Sequence, residues 1–285
     1  GNPTAYPIFE SNEDIAMVQW NSLNPQPKYE TRSGSFDEVR LSQTLETRLK
    51  ELNDNRLYVF AQPTTASGKG IFSEDFADYV GMPNGLDDEA ALGYSPSGNP
   101  DEAGSNFISR LGILLACRAC NPEQASATAS QTIIMSYSEL QFILAEAREQ
   151  GWISVGDAAT YYENGIRASF EYYTARVTAG GWSEIAAAMQ ATDLDAYLGQ
   201  AAVAYTGTAD EKLGKIALQK WISLFYTGFE GWSDWRRTNT PELVPNPDGA
   251  VNGIPRRLPT SLDERVNNTN AEVVSDILSP VWWDQ

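Results

Sequence analysis

The stretch "YSELQFILAEAREQ", residues 137–150, decides the fold class of this protein. Ser136 directly before it and Glu139 within it have the spacing of a capping box, in which side chains bond to the first free backbone amides of a helix. Gly151 follows the stretch, and glycine is a common helix terminator. We therefore predict a helix over residues 137–150.

A second helical pattern follows after a short link. Asp157 can cap it, and Gly180 and Gly181 can end it. Two such helices joined by a glycine-containing link form an αα-hairpin, and their span of about 40 residues resembles one tetratricopeptide unit, which cannot bury its apolar face alone. The apolar positions of the second helix recur every three or four residues, at Tyr162, Ile166, Phe170, Tyr173 and Val177.

Three further helical patterns follow in the C-terminal half. They are "SEIAAAMQAT", "DLDAYLGQAAVAY" and a long run from Asp210 to about Tyr226, where Gly228 and Gly231 interrupt the periodicity. After Arg237 the chain is rich in proline, asparagine and aspartate. We predict a mainly α protein, with a tetratricopeptide-like helical scaffold and long irregular loops.

An unusual density of aromatic residues marks the end of the long run. Trp221, Phe225, Phe229 and Trp232 are spaced four, four and three residues apart. Because such stripes are usually buried, we interpret this one as a packed core rather than a carbohydrate platform. The adjacent Arg236 and Arg237 are expected to pair with nearby carboxylates such as Asp234 or Glu230.

Residues 1–130 differ in composition and are rich in Gly, Pro, Asn, Ser and Asp. One helix is predicted in "SFDEVRLSQTLETRLKELNDN", with Ser35 as its cap, and the following "RLYVFAQP" from Arg56 is predicted to be extended. Turn-forming sequence dominates residues 64–106, and long irregular segments are more often functional than idle. We predict a loop-rich portion with ligand-binding loops, residues 1–130, and a helical portion, residues 131–285, in one continuous domain.

The composition excludes several classes of function. The 285 residues include 20 basic and 38 acidic side chains, and the net charge of −18 disfavours nucleic acid and anionic membrane surfaces as partners. The chain has no histidine, so His-dependent hydrolases and His-ligated metal sites lack their imidazole. Carboxylate chemistry and simple binding remain.

Cys117 and Cys120 form a Cys-x-x-Cys pair. A structural zinc site would need two more sulfur or imidazole ligands, and no βαβ pattern supports a redox role. We interpret both cysteines as small core residues, disulfide-bonded only in an oxidising compartment.

Acidic clusters at residues 11–16 and 87–89 offer oxygen ligands of the kind that calcium takes. Neither cluster has the alternating spacing of an EF-hand loop. We therefore predict solvated surface at both places, no metal site and no cofactor, with calcium as an unsupported alternative.

Five blocks of the sequence occur in the order and approximate spacing found in the SusD/RagB-like family. They are "IIMSYSELQFILAEAREQGWI", "DAATYYENGIRASFEYY", "KIALQKWISLFYTGFEGWSDWRRTNTPEL", "IPRRLP" and the terminal "WWD". The resemblance covers residues 107–285 and extends more weakly over residues 41–63. After "IPRRLP" the chain departs from the family, because it reads "TSLDERVN" where a Tyr-Pro and a Ser-x-x-Glu are common.

This resemblance implies a function without chemistry. Similar proteins are α-helical lipoproteins, exposed on the outer membrane of Bacteroidetes, that capture glycans or other nutrients for a SusC-like TonB-dependent transporter. The resemblance also implies that this chain is the C-terminal part of a longer, lipid-anchored protein of a Gram-negative bacterium. It transfers no ligand-binding residue position by position.

Ligand-binding candidates therefore come from the chemistry of sugars. Sugar rings present apolar CH faces and hydroxyl groups, which exposed aromatics and Asn or Asp side chains on loops can bind. The alternative for the aromatic residues at 72, 76 and 79 is that they pack beneath their loop. The candidates are Trp20, Asn24, Tyr29, Phe72, Phe76, Tyr79, Asn84, Tyr94, Asn99 and Asp101.

Two other functions compete with nutrient binding. An α-helical glycoside hydrolase would need two facing carboxylates, but Glu139 and Glu146 are separated by a rise of about 10.5 Å along their helix, which exceeds the separations used in that reaction. A tetratricopeptide adaptor would bind other proteins, but a free-standing array needs at least three units and one hairpin is evident.

Overall fold

A computed structural model describes residues 8–21, 23–24, 39–94, 107–115, 129–245, 251 and 253–284. Within these residues the protein is mainly α-helical, with ten α-helices and one two-stranded antiparallel sheet, as predicted. The strands are β1 (Ala16–Gln19) and β2 (Gln131–Met135). The helices are α1 (Gln43–Glu51), α2 (Leu57–Phe60), α3 (Asp88–Leu92), α4 (Tyr137–Glu149), α5 (Ala158–Ala179), α6 (Ser183–Gln190), α7 (Leu194–Gly199), α8 (Ala209–Ser223), α9 (Phe229–Thr238) and α10 (Leu262–Asn267).

The helical hairpin is formed by α4 and α5, and both predicted caps are confirmed. The Ser136 side chain accepts a hydrogen bond from the Glu139 amide at 3.0 Å, and Asp157 accepts one from the Thr160 amide at 2.9 Å. Gly151 ends the first helix with a φ angle of 72°, which favours glycine. Local sequence therefore sets the limits of this hairpin.

Close packing of α4 on α5 depends on Gly165. A Cβ atom at this position would lie 2.8 Å from the ring of Phe142, which is fully buried. The Ser138 hydroxyl donates to the Gly165 carbonyl at 2.7 Å and joins the helices at the same level. The five predicted apolar positions of α5, from Tyr162 to Val177, are all buried.

One hydrophobic core extends from the hairpin to the neighbouring helices. α6 packs against α5, and α8 packs against α4. The core cluster joins Phe142, Ile166, Ile185, Ile216 and Ile222, which come from the four helices α4, α5, α6 and α8. The hairpin thus buries its apolar faces against added helices, which is what a single tetratricopeptide-like unit requires.

A buried ion pair connects the N-terminal third to this scaffold. Arg56 and Asp54 are both fully buried and hydrogen-bond through two guanidinium nitrogens. Arg56 also donates to Ser169 of α5 and Gln219 of α8, at 2.9 Å each, and lies 4.6 Å from the ring centre of Phe170. The residues between α1 and α2 are therefore tied directly to the long helices.

The extended conformation predicted from Arg56 is wrong at its start, because Leu57–Phe60 forms the helical turn α2. The Arg56 amide donates to the Asp54 carboxylate at 2.9 Å, and the Phe60 amide donates to the Arg56 carbonyl at 3.0 Å. All four residues of α2 are buried. In a short, continuous apolar run, periodicity does not separate a buried helix from a strand.

The helix predicted with Ser35 as its cap begins later, at Gln43. The Ser42 side chain caps it by accepting a hydrogen bond from the Leu45 amide at 3.2 Å. Residues 40–42 are extended instead, because their backbone pairs with residues 82 and 109–110. These partners are distant in sequence, so a local pattern could not reveal them.

The interruption of the helical periodicity predicted near Gly228 is confirmed, and two helices divide the aromatic stripe from Trp221 to Trp232. α8 ends at Ser223 and α9 begins at Phe229. Tyr226 and Gly228 between them have φ angles of 62° and 70°, which no continuous helix can contain.

The two halves of the stripe have different environments. Trp221 and Phe225 pack against the core, as predicted. Phe229, however, is 68% exposed, and the aromatic residue of α9 that is buried is Trp235. Splitting the run into two helices therefore changes which ring faces inward.

The adjacent arginines also have different partners. Arg237 pairs with Asp234 at 2.9 Å, as predicted, and with Glu146 of α4, which it reaches through two nitrogens. Arg236 instead lies over two indole rings, and it has no carboxylate partner among the described residues. Its guanidinium carbon is 3.8 Å and 4.5 Å from the ring centres of Trp232 and Trp283.

Two predictions are not tested by this architecture. Cys117 and Cys120 lie outside the described residues. The division into a loop-rich portion, residues 1–130, and a helical portion, residues 131–285, within one domain stays a prediction.

Candidate functional site

The first side of the candidate site is the polar face of α1. Leu45 and Leu49 are buried against the core, so the opposite face of this helix is turned away from it. Residues three or four positions apart share one helix face. The side chains on that face that line a cleft are those of Thr44, Thr47, Arg48 and Glu51.

The second side is the loop that follows Gly81. The Met82 backbone forms two hydrogen bonds with the residues that flank Ser42. Its carbonyl accepts from the Gln43 amide at 2.8 Å, and its amide donates to the Leu41 carbonyl at 2.7 Å. A Cβ atom at Gly81 would lie 2.5 Å from the Gln43 Cα atom, so only glycine allows this approach. The loop is thereby fixed against the start of α1.

The third side is formed by residues 242–245, which follow α9. The buried Trp235 indole donates to the Pro241 carbonyl at 3.0 Å and holds the start of this segment. Glu242, Val244 and Pro245 then face α1 and the loop across the cleft. One helix and two loop segments that are distant in sequence therefore combine at one surface.

The cleft between these three sides has a volume of about 560 Å³. Tyr94 contributes an aromatic ring that is 39% exposed, and Leu86 and Val244 add apolar surface. Asn84, Thr44 and Thr47 contribute amide and hydroxyl groups. This mixture of one ring and several hydrogen-bonding groups fits a hydroxyl-rich ligand with apolar faces.

Hydrogen bonds inside the cleft orient its polar groups. The Asn84 side chain donates to the Thr44 hydroxyl at 2.9 Å. The Arg48 guanidinium donates to the Glu51 carboxylate at 2.9 Å, and both side chains remain partly exposed. Asp87 caps α3 by accepting from the Ala90 amide at 2.8 Å, which positions the segment that ends at Tyr94.

Two of the residues proposed from sequence, Asn84 and Tyr94, are brought together in this cleft. Sequence reasoning missed the α1 side chains and the segment 242–245. The polar face of α1 could have been predicted, because the regular spacing of its apolar residues defines the buried face and hence the opposite, polar one. No local signal could have placed residues 242–245 beside it.

The aromatic residues at 72, 76 and 79 follow the alternative and pack beneath their loop. Tyr79 has no exposed surface, and its hydroxyl donates to the Ser73 carbonyl at 3.1 Å. Phe72 and Phe76 lie against the ring of Tyr58, with centroid distances of 5.3 Å and 5.1 Å. Tyr79 is therefore corrected from a ligand-binding candidate to a core residue, because a buried ring offers no surface to a ligand.

Trp20 and Asn24 lie at the sheet rather than along the cleft. The partly exposed Trp20 indole donates to the Thr132 hydroxyl of β2 at 3.0 Å. Asn24 is exposed and closes a turn with Asn21, whose amide donates to the Asn24 carbonyl at 2.9 Å. Both stay predictions as ligand-binding residues.

The other sequence candidates, Tyr29, Asn99 and Asp101, lie outside the described residues. The acidic clusters at 11–16 and 87–89 lie within the described residues. Asp14 accepts hydrogen bonds from the Glu10 and Ser11 amides, so its carboxylate closes a local turn.

The carboxylates considered for glycoside hydrolysis are engaged elsewhere. Glu146 is paired with Arg237. Glu139 is buried, and this burial raises the pKa of its carboxyl group, although the nearby Lys220 opposes the shift. The structure gives these two residues structural surroundings rather than a shared catalytic cleft.

A family model described as starch-binding and associating with the outer membrane, SusD-like, matches residues 2–259. This chain belongs to the SusD-like family. The resemblance drawn from the sequence blocks is therefore confirmed. No curated protein matched this SusD-like chain.

Solved structures share the SusD-like fold. A SusD homolog from Bacteroides fragilis is 25% identical, with a TM-score of 0.71 over 97% of this chain and 58% of that one. A chitin-binding protein is 26% identical, with a TM-score of 0.69 over 98% of this chain and 57% of that one. A SusD homolog from Bacteroides uniformis is 21% identical, with a TM-score of 0.71 over 98% and 57%. The SusD-like chain thus spans less than two thirds of the length of these structures.

In the described part of this SusD-like chain, each helix is too short or too polar to cross a membrane.

Proposed function

We propose that this protein captures a glycan in the cleft between α1, the loop after Gly81 and residues 242–245. The observation that carries the proposal is the exposed Tyr94 in the same cleft as the hydroxyl and amide groups of α1 and the loop. An aromatic ring can stack on the CH face of a sugar, and the polar groups can bond to its hydroxyls. The family description and the name of the chitin-binding neighbour support a saccharide as the ligand.

The proposed binding is non-enzymatic. A glycoside hydrolase needs one carboxylic acid and one carboxylate on opposite sides of the scissile bond. The acidic residues that line the cleft are Glu51, which is bonded to Arg48, and Glu242 on the opposite side. The Glu51 carboxylate is hydrogen-bonded to Arg48 at 2.9 Å and is not paired with a second carboxylate of the cleft. In this proposal the bound glycan therefore leaves unchanged.

The proposed setting is the outer surface of a Gram-negative bacterium. In this setting a lipid anchor on the full-length protein holds it at the outer membrane, where it passes the ligand to a SusC-like TonB-dependent transporter. The description of the family as associating with the outer membrane supports this location. Co-purification of the tagged full-length protein with a TonB-dependent transporter from outer-membrane extracts would test the partnership.

A calorimetric panel tests the proposed function. The protein is titrated with hexasaccharides of the starch, chitin, xylan, mannan and cellulose types, and each mixture is analysed afterwards by chromatography. We expect at least one glycan to bind and to be recovered intact. Recovery of shortened products would contradict the proposal, as would the absence of binding to every glycan.

A further inference from the structure

Acidic side chains outnumber basic ones in the described lining of the cleft. Among the described residues that line the cleft, Arg48 is the one basic side chain, and Glu51 and Glu242 are acidic. The Arg48 Nη1 atom donates to Glu51 Oε2 at 2.9 Å. The cleft therefore contains a guanidinium that already has a carboxylate partner.

The surroundings of the cleft add further negative charge. Asp87 and Glu89 lie on the segment that leads to Tyr94, and neither they nor Glu242 form an ion pair within the described ranges. The other basic residue of α1, Lys50, is bonded to Glu46 at 2.6 Å and to the Tyr79 carbonyl at 2.8 Å. With a Debye length of about 8 Å at physiological ionic strength, these nearby carboxylates repel an anionic ligand.

We propose that Glu51 determines ligand specificity by occupying Arg48, so that the cleft accepts uncharged glycans and excludes acidic ones. This inference rests on the proposed function. Uronate and sulfate groups are recognised mainly by free guanidinium groups, which form paired, charge-assisted hydrogen bonds. Glu51 takes the Nη1 donor of Arg48 and balances its charge, so the guanidinium offers an anionic group a weaker pairing than a free one would.

The same pair suits neutral hydroxyl groups. Arg48 has five N–H donors, and Glu51 has two acceptor oxygens, so the pair keeps spare hydrogen-bonding capacity on both sides. A sugar diol can donate to the carboxylate and accept from the guanidinium without carrying charge itself. The pair is partly exposed, so its effect on ligand choice comes from competition for Arg48 rather than from protein stability.

The experiment compares two single-charge changes on the same helix. Glu51→Gln keeps the side-chain shape but removes the negative charge that balances Arg48, whereas Glu46→Gln removes the same charge from the Lys50 pair and leaves the Arg48–Glu51 pair intact. Both variants and the wild type are titrated with the neutral hexasaccharides and with hexagalacturonate and hexamannuronate at about 150 mM salt. Thermal unfolding of each protein confirms that it is folded.

The inference predicts that E51Q binds an acidic hexasaccharide about tenfold more tightly than the wild type, a gain typical of one charged hydrogen bond. E46Q should stay within about twofold of the wild type, because Arg48 remains paired there. If E51Q shows no gain while neutral glycans bind the wild type, the inference is wrong and the proposed function stands.

Two other outcomes are also decisive. Wild-type protein that binds an acidic glycan as tightly as a neutral one would overturn the role of Glu51 without affecting glycan capture. A complete absence of binding, in the wild type and both variants, would overturn the inference together with the proposed function.

Discussion

The Nη2 atom of Arg56 lies 2.6 Å from Oδ2 of Asp54, and neither side chain is exposed to solvent. This pair also has polar partners from α5, α7 and α8, because Ser169, Tyr197 and Gln219 hydrogen-bond to it. A buried ion pair that loses one member leaves an uncompensated charge. The connection between the N-terminal third and the helical scaffold therefore depends on both charges.

Replacing the buried arginine should destabilise the protein strongly. We expect Arg56→Met to lower the free energy of unfolding by about 3–5 kcal/mol, because Asp54 would stay buried without its cation. Urea unfolding monitored by circular dichroism measures the change. Arg167→Met is the control, since the Arg167–Asp195 pair is on the surface and should contribute less than about 1 kcal/mol. Equal effects of the two changes would contradict this assignment.

Two glycines in the middle of helices should respond in opposite ways to alanine. Gly165→Ala places a methyl group against the ring of Phe142 and should destabilise by about 1–3 kcal/mol. Gly214→Ala, on α8, meets no atom within 4 Å and should stabilise by roughly 0.5–1 kcal/mol through helix propensity. Thermal unfolding of both variants measures the contrast, and a stabilising Gly165→Ala would show that α4 and α5 are further apart.

Burial of Glu139 predicts a pH-dependent effect on stability. Burial raises the pKa of its carboxyl group in the folded state, and this effect outweighs the opposing charge of Lys220. The folded protein therefore binds the proton more tightly than the unfolded chain does. The protonated form therefore stabilises the fold at acidic pH, and this contribution is lost as pH rises through the raised pKa.

The Glu139→Gln variant mimics the protonated state. We expect it to raise the melting temperature at pH 7 and to have a smaller effect near pH 4, measured by calorimetry at both values. Glu163→Gln, at a half-buried position on α5, is the control. A larger stabilisation at pH 4 than at pH 7 would contradict the direction of the pKa shift.

The indole of Trp235 should influence ligand binding from a distance. Trp235→Phe removes the hydrogen bond to the Pro241 carbonyl, loosens residues 242–245 and should weaken glycan binding severalfold. Trp232→Phe is matched to it, because it removes an indole hydrogen bond to the Pro255 carbonyl, which is outside the cleft. Calorimetric titration of both variants compares them. An equal loss of affinity in both would contradict the positioning role of Trp235.

Much of the helical scaffold could be predicted from local sequence. Ser136, Asp157 and Gly151 act through their own backbone neighbours, so their patterns are visible without tertiary structure. The apolar spacing of α5 also identified its buried face. These features depend on interactions only a few residues apart.

The errors occurred where distant residues decide the local structure. The start of α1 is shifted because residues 40–42 pair with residues 82 and 109–110. The turn at α2 is set by Asp54 and Arg56, whose other partners come from helices more than a hundred residues away. An alternating or apolar pattern carries no information about such contacts.

The candidate site was only partly predictable for the same reason. Asn84 and Tyr94 have the residue types expected for sugar binding and do line the cleft. Tyr79 has the same chemistry but is buried, and sequence alone does not distinguish an exposed ring from a covered one. The far side of the cleft, residues 242–245, becomes a neighbour only through the packing of α9.

The most direct test of glycan capture in this cleft is the calorimetric affinity of Tyr94→Ala for the glycan that binds the wild type. We expect a loss of about 1–3 kcal/mol in binding free energy, as for removal of one stacking ring, with an unchanged melting temperature. Trp152→Ala is the control, because this ring is 70% exposed and lies outside the cleft, and it should bind as the wild type does. Unchanged affinity of Tyr94→Ala, or a loss confined to Trp152→Ala, would contradict the assignment of the site.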